Sequence, residues 1–141
     1  MFKYSVSILL ALLCIFVLSL PVHTGEKEYK SYTDIGYIEK SDITIRDVVE
    51  HPDKFHRDVI TLDGQITEID YKKMITGRKF TLFNLSDGLD NEIKVYARGY
   101  IKNIDKGTKI RITGRYSKEK SFLFTTYPNV MKARKVYILD S

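Results

Sequence analysis

The hydrophobic pattern of the chain changes to a period of two at residue 59, and this change restricts the fold more than any other feature. Apolar and polar side chains alternate in VITLDGQITEI and then in FTLFNLS, EIKVYAR and KIRITGRY. Such alternation is typical of strands that bury one face. Turns containing glycine separate the runs, and SFLFTTYP with KVYIL supplies a fifth strand that Pro128 interrupts.

Five strands over residues 59 to 139 are too few for a two-sheet sandwich of ordinary size. A small closed barrel buries one face of each strand and leaves few open edges. Gly64, Gly99 and Gly114 lie where such strands would bend. The expected core consists of Ile60, Leu62, Ile66, Phe83, Leu85, Ile93, Val95, Ile110 and Ile112.

One short helix is expected before the first strand. Ser41 or Asp42 can cap its start, Ile45, Val48 and Val49 have helical spacing, and Pro52 ends it. We therefore predict a mainly β domain over residues 41 to 141, in which a short α-helix precedes a five-stranded barrel. The polar, aperiodic residues 25 to 40 are expected to form a linker.

The N-terminus has the pattern of an export signal. Lys3 is the only charge before Glu26, and residues 6 to 20 are almost entirely apolar. Residues 1 to 24 therefore predict a signal peptide or, if uncleaved, a membrane anchor. The domain is expected outside the cytoplasm, in the periplasm or extracellular space or tethered to the outer face of the cytoplasmic membrane. Cys14, the only cysteine, lies within the apolar run, so the domain has no thiol chemistry.

The charge is unevenly distributed along the chain. Residues 26 to 71 hold six Lys/Arg and twelve Asp/Glu, whereas residues 72 to 141 hold sixteen and six. The basic second half indicates an anionic partner or a surface that lies on anionic lipid. Lysines that keep the solvent face of a sheet soluble would give the same excess.

The sequence contains no catalytic constellation that we can identify. His51 and His56 flank a helix end, too few ligands for a zinc site, and no nucleophile elbow is present. The paired carboxylates occur at turns, where Asp is favoured for its backbone hydrogen bonds. We expect a binding protein, with neither enzymatic activity nor a metal or cofactor.

Several segments together resemble a known fold family. HPDKF, VITLDGQI, GRKFTLFNLSDG, EIKVYARG, KGTKIRITGRY and VYIL are similar to the OB-fold of the nucleic-acid-binding, anticodon-binding type. The resemblance covers residues 41 to 139 and implies an OB-fold barrel. Members of that type use an aromatic residue and arginines to read bases, at positions that hold Leu82, Ser86 and Gln65 here. Lys94 replaces a base-reading glutamine and suits a phosphate.

The outward positions of the second and third predicted strands form the candidate ligand-binding surface. Period-two alternation turns Phe80 and Leu82 outward beside Lys94, Tyr96 and Arg98, and Arg111 on the fourth strand is a further candidate. Aromatic faces and cations suit single-stranded nucleic acid or another polyanion such as an oligosaccharide. Alternatively, Phe80 and Tyr96 are a cross-strand pair that only stabilises the sheet.

The chain also resembles a second family, whose members suggest a different kind of ligand. Small periplasmic OB-fold proteins of bacteria share the arrangement of a signal followed by a barrel, and nucleic acid is not their obvious ligand. An envelope protein-interaction or stress-related module without a polymer ligand is therefore the alternative function.

Overall fold

The structure, a computed structural model, describes residues 32–122 and 124–139. The expected signal or anchor segment, residues 1 to 24, lies outside them. The described elements are β1 (Asp34–Ile35), α1 (Ile45–Glu50), α2 (Pro52–Phe55), β2 (Val59–Lys73), β3 (Lys79–Ser86), β4 (Glu92–Arg98), β5 (Lys109–Phe122) and β6 (Thr125–Ile138). The prediction of a mainly β domain is confirmed. Neither described helix is long and apolar enough to span a membrane.

The five long strands close into a ring. The sheet order is β1-β6-β4-β3-β2-β5, and β5 also pairs with β6, so that β2 to β6 each have two neighbours. Every pairing in the ring is antiparallel except that of β4 with β6, which is parallel. Each of these five strands therefore has a partner on both sides over part of its length, and the β4–β6 pairing that closes the ring covers three residues of each strand.

The inside of the ring is the hydrophobic core. All nine core residues expected from the sequence are buried, each at most 6% exposed. Ala97 and Tyr116 continue the same inward face, while Ile45, Val48 and Ile104 close the core from outside the strands. The inward and outward assignment made from the period-two pattern is therefore correct for these strands.

All three expected bending glycines lie where backbone or side chains approach too closely for a Cβ atom. At Gly114 a Cβ atom would lie 2.3 Å from the carbonyl oxygen of Lys132, and at Gly64 it would lie 2.6 Å from Leu85 Cγ. Gly114 also adjoins a bulge in the β5–β6 ladder, where Arg134 is the extra residue on β6. A bulge increases local twist, which helps a short ring to close.

The helix begins three residues later than its first expected cap. Thr44, not Ser41 or Asp42, is the N-cap: its side chain accepts a hydrogen bond from the Asp47 amide, and the Asp47 carboxylate accepts one from the Thr44 amide. This reciprocal pair satisfies two helix-end donors and outweighs the single cap that either earlier residue offers. The pKa of the Asp47 carboxyl lies below its ordinary value, mainly because the carboxylate accepts the hydrogen bond from the Thr44 amide.

Part of the expected linker lies against the sheet. Asp34 and Ile35 pair with Lys135 and Val136 of β6, and Ile38 is buried. Thr33 also exchanges hydrogen bonds with Arg98 at the end of β4. The segment fills the space where β4 and β6 separate, which a polar, aperiodic sequence does not indicate.

The expected break at Pro128 is instead part of a long hairpin. SFLFTTYP spans the end of β5 and the start of β6, and the ladder continues to the pair Phe122–Thr125. We call Ser117–Phe122 with Thr125–Asn129 the arm. Pro128 is tolerated because the arm has only two strands, so a backbone nitrogen without a proton can face away from the ladder.

Candidate ligand-binding surface

Five of the six sequence-predicted site residues lie together on the outer face of β3 and β4. Phe80 is opposite Arg98, Leu82 is opposite Tyr96, and Lys94 is opposite Asn84. Phe80, Leu82, Lys94 and Arg98 are half-buried. The two strands are placed in this register by the inward set of Phe83, Leu85, Ile93 and Val95, since a slip by one residue would reverse every side chain.

Arg111 does not belong to this group. Its guanidinium donates to both carboxylate oxygens of Asp63, at 2.6 and 2.9 Å, and to the carbonyl oxygen of Ile38 at 3.0 Å. The hydrogen bonds that the Arg111 guanidinium donates to Asp63 are the main reason that the pKa of Arg111 is raised. Arg111 holds the segment around Ile38 against β2 and β5, so we remove it from the candidate site.

Tyr96 is on the outer face, as expected, but it is buried rather than open. Only 7% of Tyr96 is exposed, because the arm lies over it. The Phe122 ring contacts the Tyr96 ring edge-on at 5.3 Å, and Lys120 both hydrogen-bonds the Tyr96 hydroxyl and lies 4.7 Å from its ring. The expectation of an open tyrosine was wrong because the alternation of β4 carries no information about the arm.

The arm also contacts Lys94. The Lys94 ammonium lies 5.0 Å from the centre of the Tyr127 ring and 3.5 Å from Asn84 Oδ1. Neither neighbour is charged, so the charge of Lys94 is oriented but not neutralised by these contacts. Phe122 and Tyr127 are themselves 6.0 Å apart. The surface is thus a shallow face bordered by an aromatic arm.

A cluster of positive charge continues this face across β6. Lys132 is the neighbour of Tyr96 on β4 and of Arg115 on β5. Burial is the main cause of the lowered pKa of Lys132, and the nearby charges of Arg98, Lys120, Arg134 and Arg115 lower it further. We call these five residues the cation cluster. Like charges directly opposite one another destabilise a sheet, so the cluster lowers the stability of the domain when no anion is bound to it.

No ion pair to a carboxylate is present for Lys132, Arg115, Lys120 or Arg134 among the described residues. The negative side of the face lies two strands away, where Glu68 and Asp70 of β2 are opposite Asn84 and Leu82 of β3. The surface therefore grades from acidic at β2 to strongly basic at β6.

Sequence reasoning missed four members of the cation cluster as site residues. Lys132 and Arg134 come from β6, whose parallel pairing with β4 cannot be inferred from spacing. Alternation places Arg115 on the outer side of its predicted strand, but the sequence does not show which residue lies opposite it across the sheet. The excess of basic residues after residue 72 was the available signal, and it gave the sign of the charge without its location.

The histidines contribute to structure. His56 Nδ1 accepts a hydrogen bond from the Lys118 amide at 3.1 Å, and His51 lies between α1 and α2. No group of three or more His, Cys, Asp and Glu side chains suited to a metal occurs among residues 32–122 and 124–139.

The fold of this chain is similar to that of solved structures of other proteins. No family model matches the sequence, and no curated protein matches it. Seventeen chains of solved structures match. One is a protein assigned as an aspartyl-tRNA synthetase from Leishmania major Friedlin, with 12% identity and a TM-score of 0.54 over 84% of this chain and 26% of that one. Another is the OBody AM3L09 bound to hen egg-white lysozyme, with 13% identity and a TM-score of 0.53 over 73% of this chain and 98% of that one.

At these identities the likeness concerns fold alone. The chain spans about a quarter of the synthetase chain. Both neighbours are consistent with an OB-like fold, as the sequence resemblance implied. The activity of a neighbour does not transfer to this chain with the fold.

Proposed function

We propose that this chain is an OB-fold module that binds an anionic polymer, single-stranded nucleic acid or an acidic oligosaccharide, across the outer face of β3, β4, β6 and β5. The cation cluster is the observation that carries the proposal. Five cations are held close together on the described surface, and Lys132 is partly buried among them. A row of phosphates or carboxylates would relieve that repulsion and release the counterions of the polymer.

The geometry suggests how such a ligand would lie. Lys94, Lys120 and Lys132 border the buried Tyr96, and the arm rises beside them. Half-buried Phe80 and Leu82 extend the face toward β3 with apolar surface. A backbone that follows the cations of β4 and β6 would place its bases or sugars over Phe80 and Leu82. The likeness to a tRNA synthetase chain supports nucleic acid within this class.

Retention on two columns tests the class of ligand. The protein is applied at low salt to heparin and to immobilised single-stranded DNA, and eluted with a salt gradient. Retention on both at low salt and release at high salt is the expected result, because binding to a polyanion is driven by counterion release. Passage through both columns at low salt would refute a polyanion ligand.

Protein recognition is the second candidate function. The OBody of similar fold is bound to lysozyme, so a surface on this kind of fold can recognise a folded protein. For this chain the corresponding proposal is an envelope interaction module with no polymer ligand. Failure on both columns together with a stable complex in crosslinked cell envelopes would favour it.

We also propose that residues 1 to 24 direct export and that the domain works outside the cytoplasm. The supporting observation is the apolar run of residues 6 to 20 after Lys3. N-terminal sequencing of the protein from cells distinguishes cleavage near Thr24 from an intact anchor. Full-length protein recovered from the cytoplasm would refute export.

A further inference from the structure

Five of the ten exposed large apolar or aromatic side chains of the described residues lie at one end of the ring, at Tyr32, Tyr71, Met74, Ile75 and Tyr100. The β2–β3 hairpin turns over residues 74 to 78, where the Met74 amide donates to the Arg78 carbonyl at 2.8 Å and the Gly77 amide to the Met74 carbonyl at 2.9 Å. Ile75 is fully exposed and Met74 is 49% exposed. The closed turn leaves Ile75 in solvent and Met74 about half exposed beside it. Two adjacent apolar side chains at a turn tip form an apolar surface that a partner can cover.

The same end is strongly basic. We define the β2–β3 end as residues 70–79 and 99–106 with Tyr32; its two ranges hold six Lys/Arg and two Asp. The two ranges adjoin, because the Gly99 amide donates to the Lys79 carbonyl at 2.8 Å and the Tyr71 hydroxyl to the Ile101 carbonyl at 2.9 Å. The β3–β4 turn, residues 87–92, lies at the other end of β3 and holds three carboxylates and no cation.

Three exposed tyrosines lie at the same end of the ring. Tyr32, Tyr71 and Tyr100 are each 41 to 53% exposed. The Tyr71 and Tyr100 rings meet edge-to-face at 5.5 Å, and the Lys79 ammonium lies 5.2 Å from the Tyr100 ring centre. Tyrosine is enriched where a protein surface meets the lipid headgroups, because its ring is apolar and its hydroxyl is hydrated.

We propose that the β2–β3 end docks on an anionic lipid bilayer. Met74 and Ile75 enter the headgroup region, and Lys72, Lys73, Lys79 and Lys102 contact lipid phosphates. A groove of about 570 Å³ beside the tip, bordered by Tyr32, Lys79, Tyr100 and Lys102, has room for a headgroup. A nucleic acid would account for the lysines but not for a fully exposed isoleucine, whereas a bilayer accounts for both.

The position of Tyr32 is compatible with this orientation. Its ring lies over Gly99, where a Cβ atom would come within 2.7 Å, so the chain enters the domain at the β2–β3 end. Residues 25 to 31 alone separate Tyr32 from the segment proposed to direct export. The docking itself rests on the exposed tip and its charges.

A fluorescent label at the tip tests the proposal with the full chain. The label is attached at Thr76→Cys in a Cys14→Ser background, and the protein is added to phosphatidylcholine vesicles with or without phosphatidylglycerol. In the anionic vesicles we expect blue-shifted emission and quenching by lipids with brominated acyl chains; in neutral vesicles we expect much less of both. A label at Asp90→Cys, in the acidic turn at the other end of the ring, is the matched control and should stay unquenched.

Charge and apolar contributions are then separated. Ile75→Asp should abolish quenching at position 76 without changing oligonucleotide binding. Replacing Lys72 and Lys73 by Glu should weaken docking by at least about fivefold for each position, since a cation near an anionic surface contributes about that factor.

Two results would overturn docking. One is an unquenched tip label in anionic vesicles; the other is equal quenching at positions 76 and 90. Parallel titrations of a labelled oligonucleotide keep the proposals distinct, because Lys132→Ala should weaken oligonucleotide binding and leave tip quenching intact. If Ile75→Asp instead weakened oligonucleotide binding and left quenching intact, nucleic acid would replace lipid as the ligand of this end.

Discussion

At the scale of single residues, the inward side chains of the ring could be predicted and the contacts of the outward ones could not. Val95, Ile93 and Ala97 are buried as their alternation requires. Tyr96 is outward in the same pattern, yet the arm covers it. Alternation assigns a face of a strand, whereas burial of that face depends on what other segments contact it.

Val95→Asp is expected to unfold the domain. Val95 is fully buried within the ring, and an aspartate there has no described partner for its charge. Circular dichroism melting curves of this variant and of Val95→Ile check the expectation. A soluble Val95→Asp protein with native melting behaviour would mean that the inward assignment of β4 is reversed.

Tyr96→Ala should lower the free energy of unfolding by about 3 kcal/mol, because it removes a buried ring from contact with Phe122. Tyr96→Phe keeps the ring and loses only the hydroxyl bond to Lys120, so about 1 kcal/mol is expected. Urea denaturation of both variants measures the difference. Wild-type stability of Tyr96→Ala would show that the arm does not cover Tyr96 in solution.

At the scale of elements, the five ring strands could be read from periodicity, but their connections at the edges could not. The polar sequence around Asp34 gives no strand signal, and it pairs because β4 and β6 separate there. Likewise the segment SFLFTTYP has the apolar content of a single strand. Only the pairing of Phe122 with Thr125 shows that it forms a hairpin. The partner of Asp34 is distant in sequence, and SFLFTTYP contains no glycine, asparagine or aspartate to mark its turn, which is why local patterns missed both.

The β3–β4 turn should be sensitive to acid. Burial raises the pKa of Asp87, but the Asn91 side chain and the Leu89 and Asn91 amides donate hydrogen bonds that outweigh it, so the pKa is lowered. A carboxylate with a lowered pKa stabilises the folded state above its unfolded pKa of about 3.9, and this stability is lost as the pH falls through the folded value.

Asp87→Ala should therefore melt below the wild type at neutral pH, and the gap should narrow steadily below about pH 4. Asp90→Ala in the same turn is the control, since it has no hydrogen bond of this kind among the described residues. Thermal melts between neutral pH and the acid range provide the comparison. A gap that is constant with pH would show that the Asp87 charge plays no part.

At the scale of the whole molecule, charge is separated between surfaces. The ring carries a basic face on β4, β5 and β6. A basic apolar tip lies at the β2–β3 end, and acidic residues lie along β2 and in the β3–β4 turn. The sequence alone predicted an excess of positive charge from residue 72 onwards. The concentration of that excess around Lys132 required the ring to bring β4, β5 and β6 together.

If the cation cluster binds a polyanion, as we propose, Lys132→Ala should weaken ligand binding without destabilising the fold, because the substitution removes a charge that its neighbours repel. Lys40→Ala is the matched control: it removes one exposed cation with no contact to the cluster among the described residues.

The most direct measurement is a titration of a labelled single-stranded oligonucleotide at several salt concentrations with the wild type and both variants. For Lys132→Ala we predict several-fold weaker binding at low salt and a salt slope smaller by up to about 0.7, the contribution of one phosphate contact, with a melting temperature no lower than that of the wild type. Lys40→Ala should match the wild type throughout. Equal affinity and slope for Lys132→Ala and the wild type, or an equal loss in Lys40→Ala, would contradict the claim.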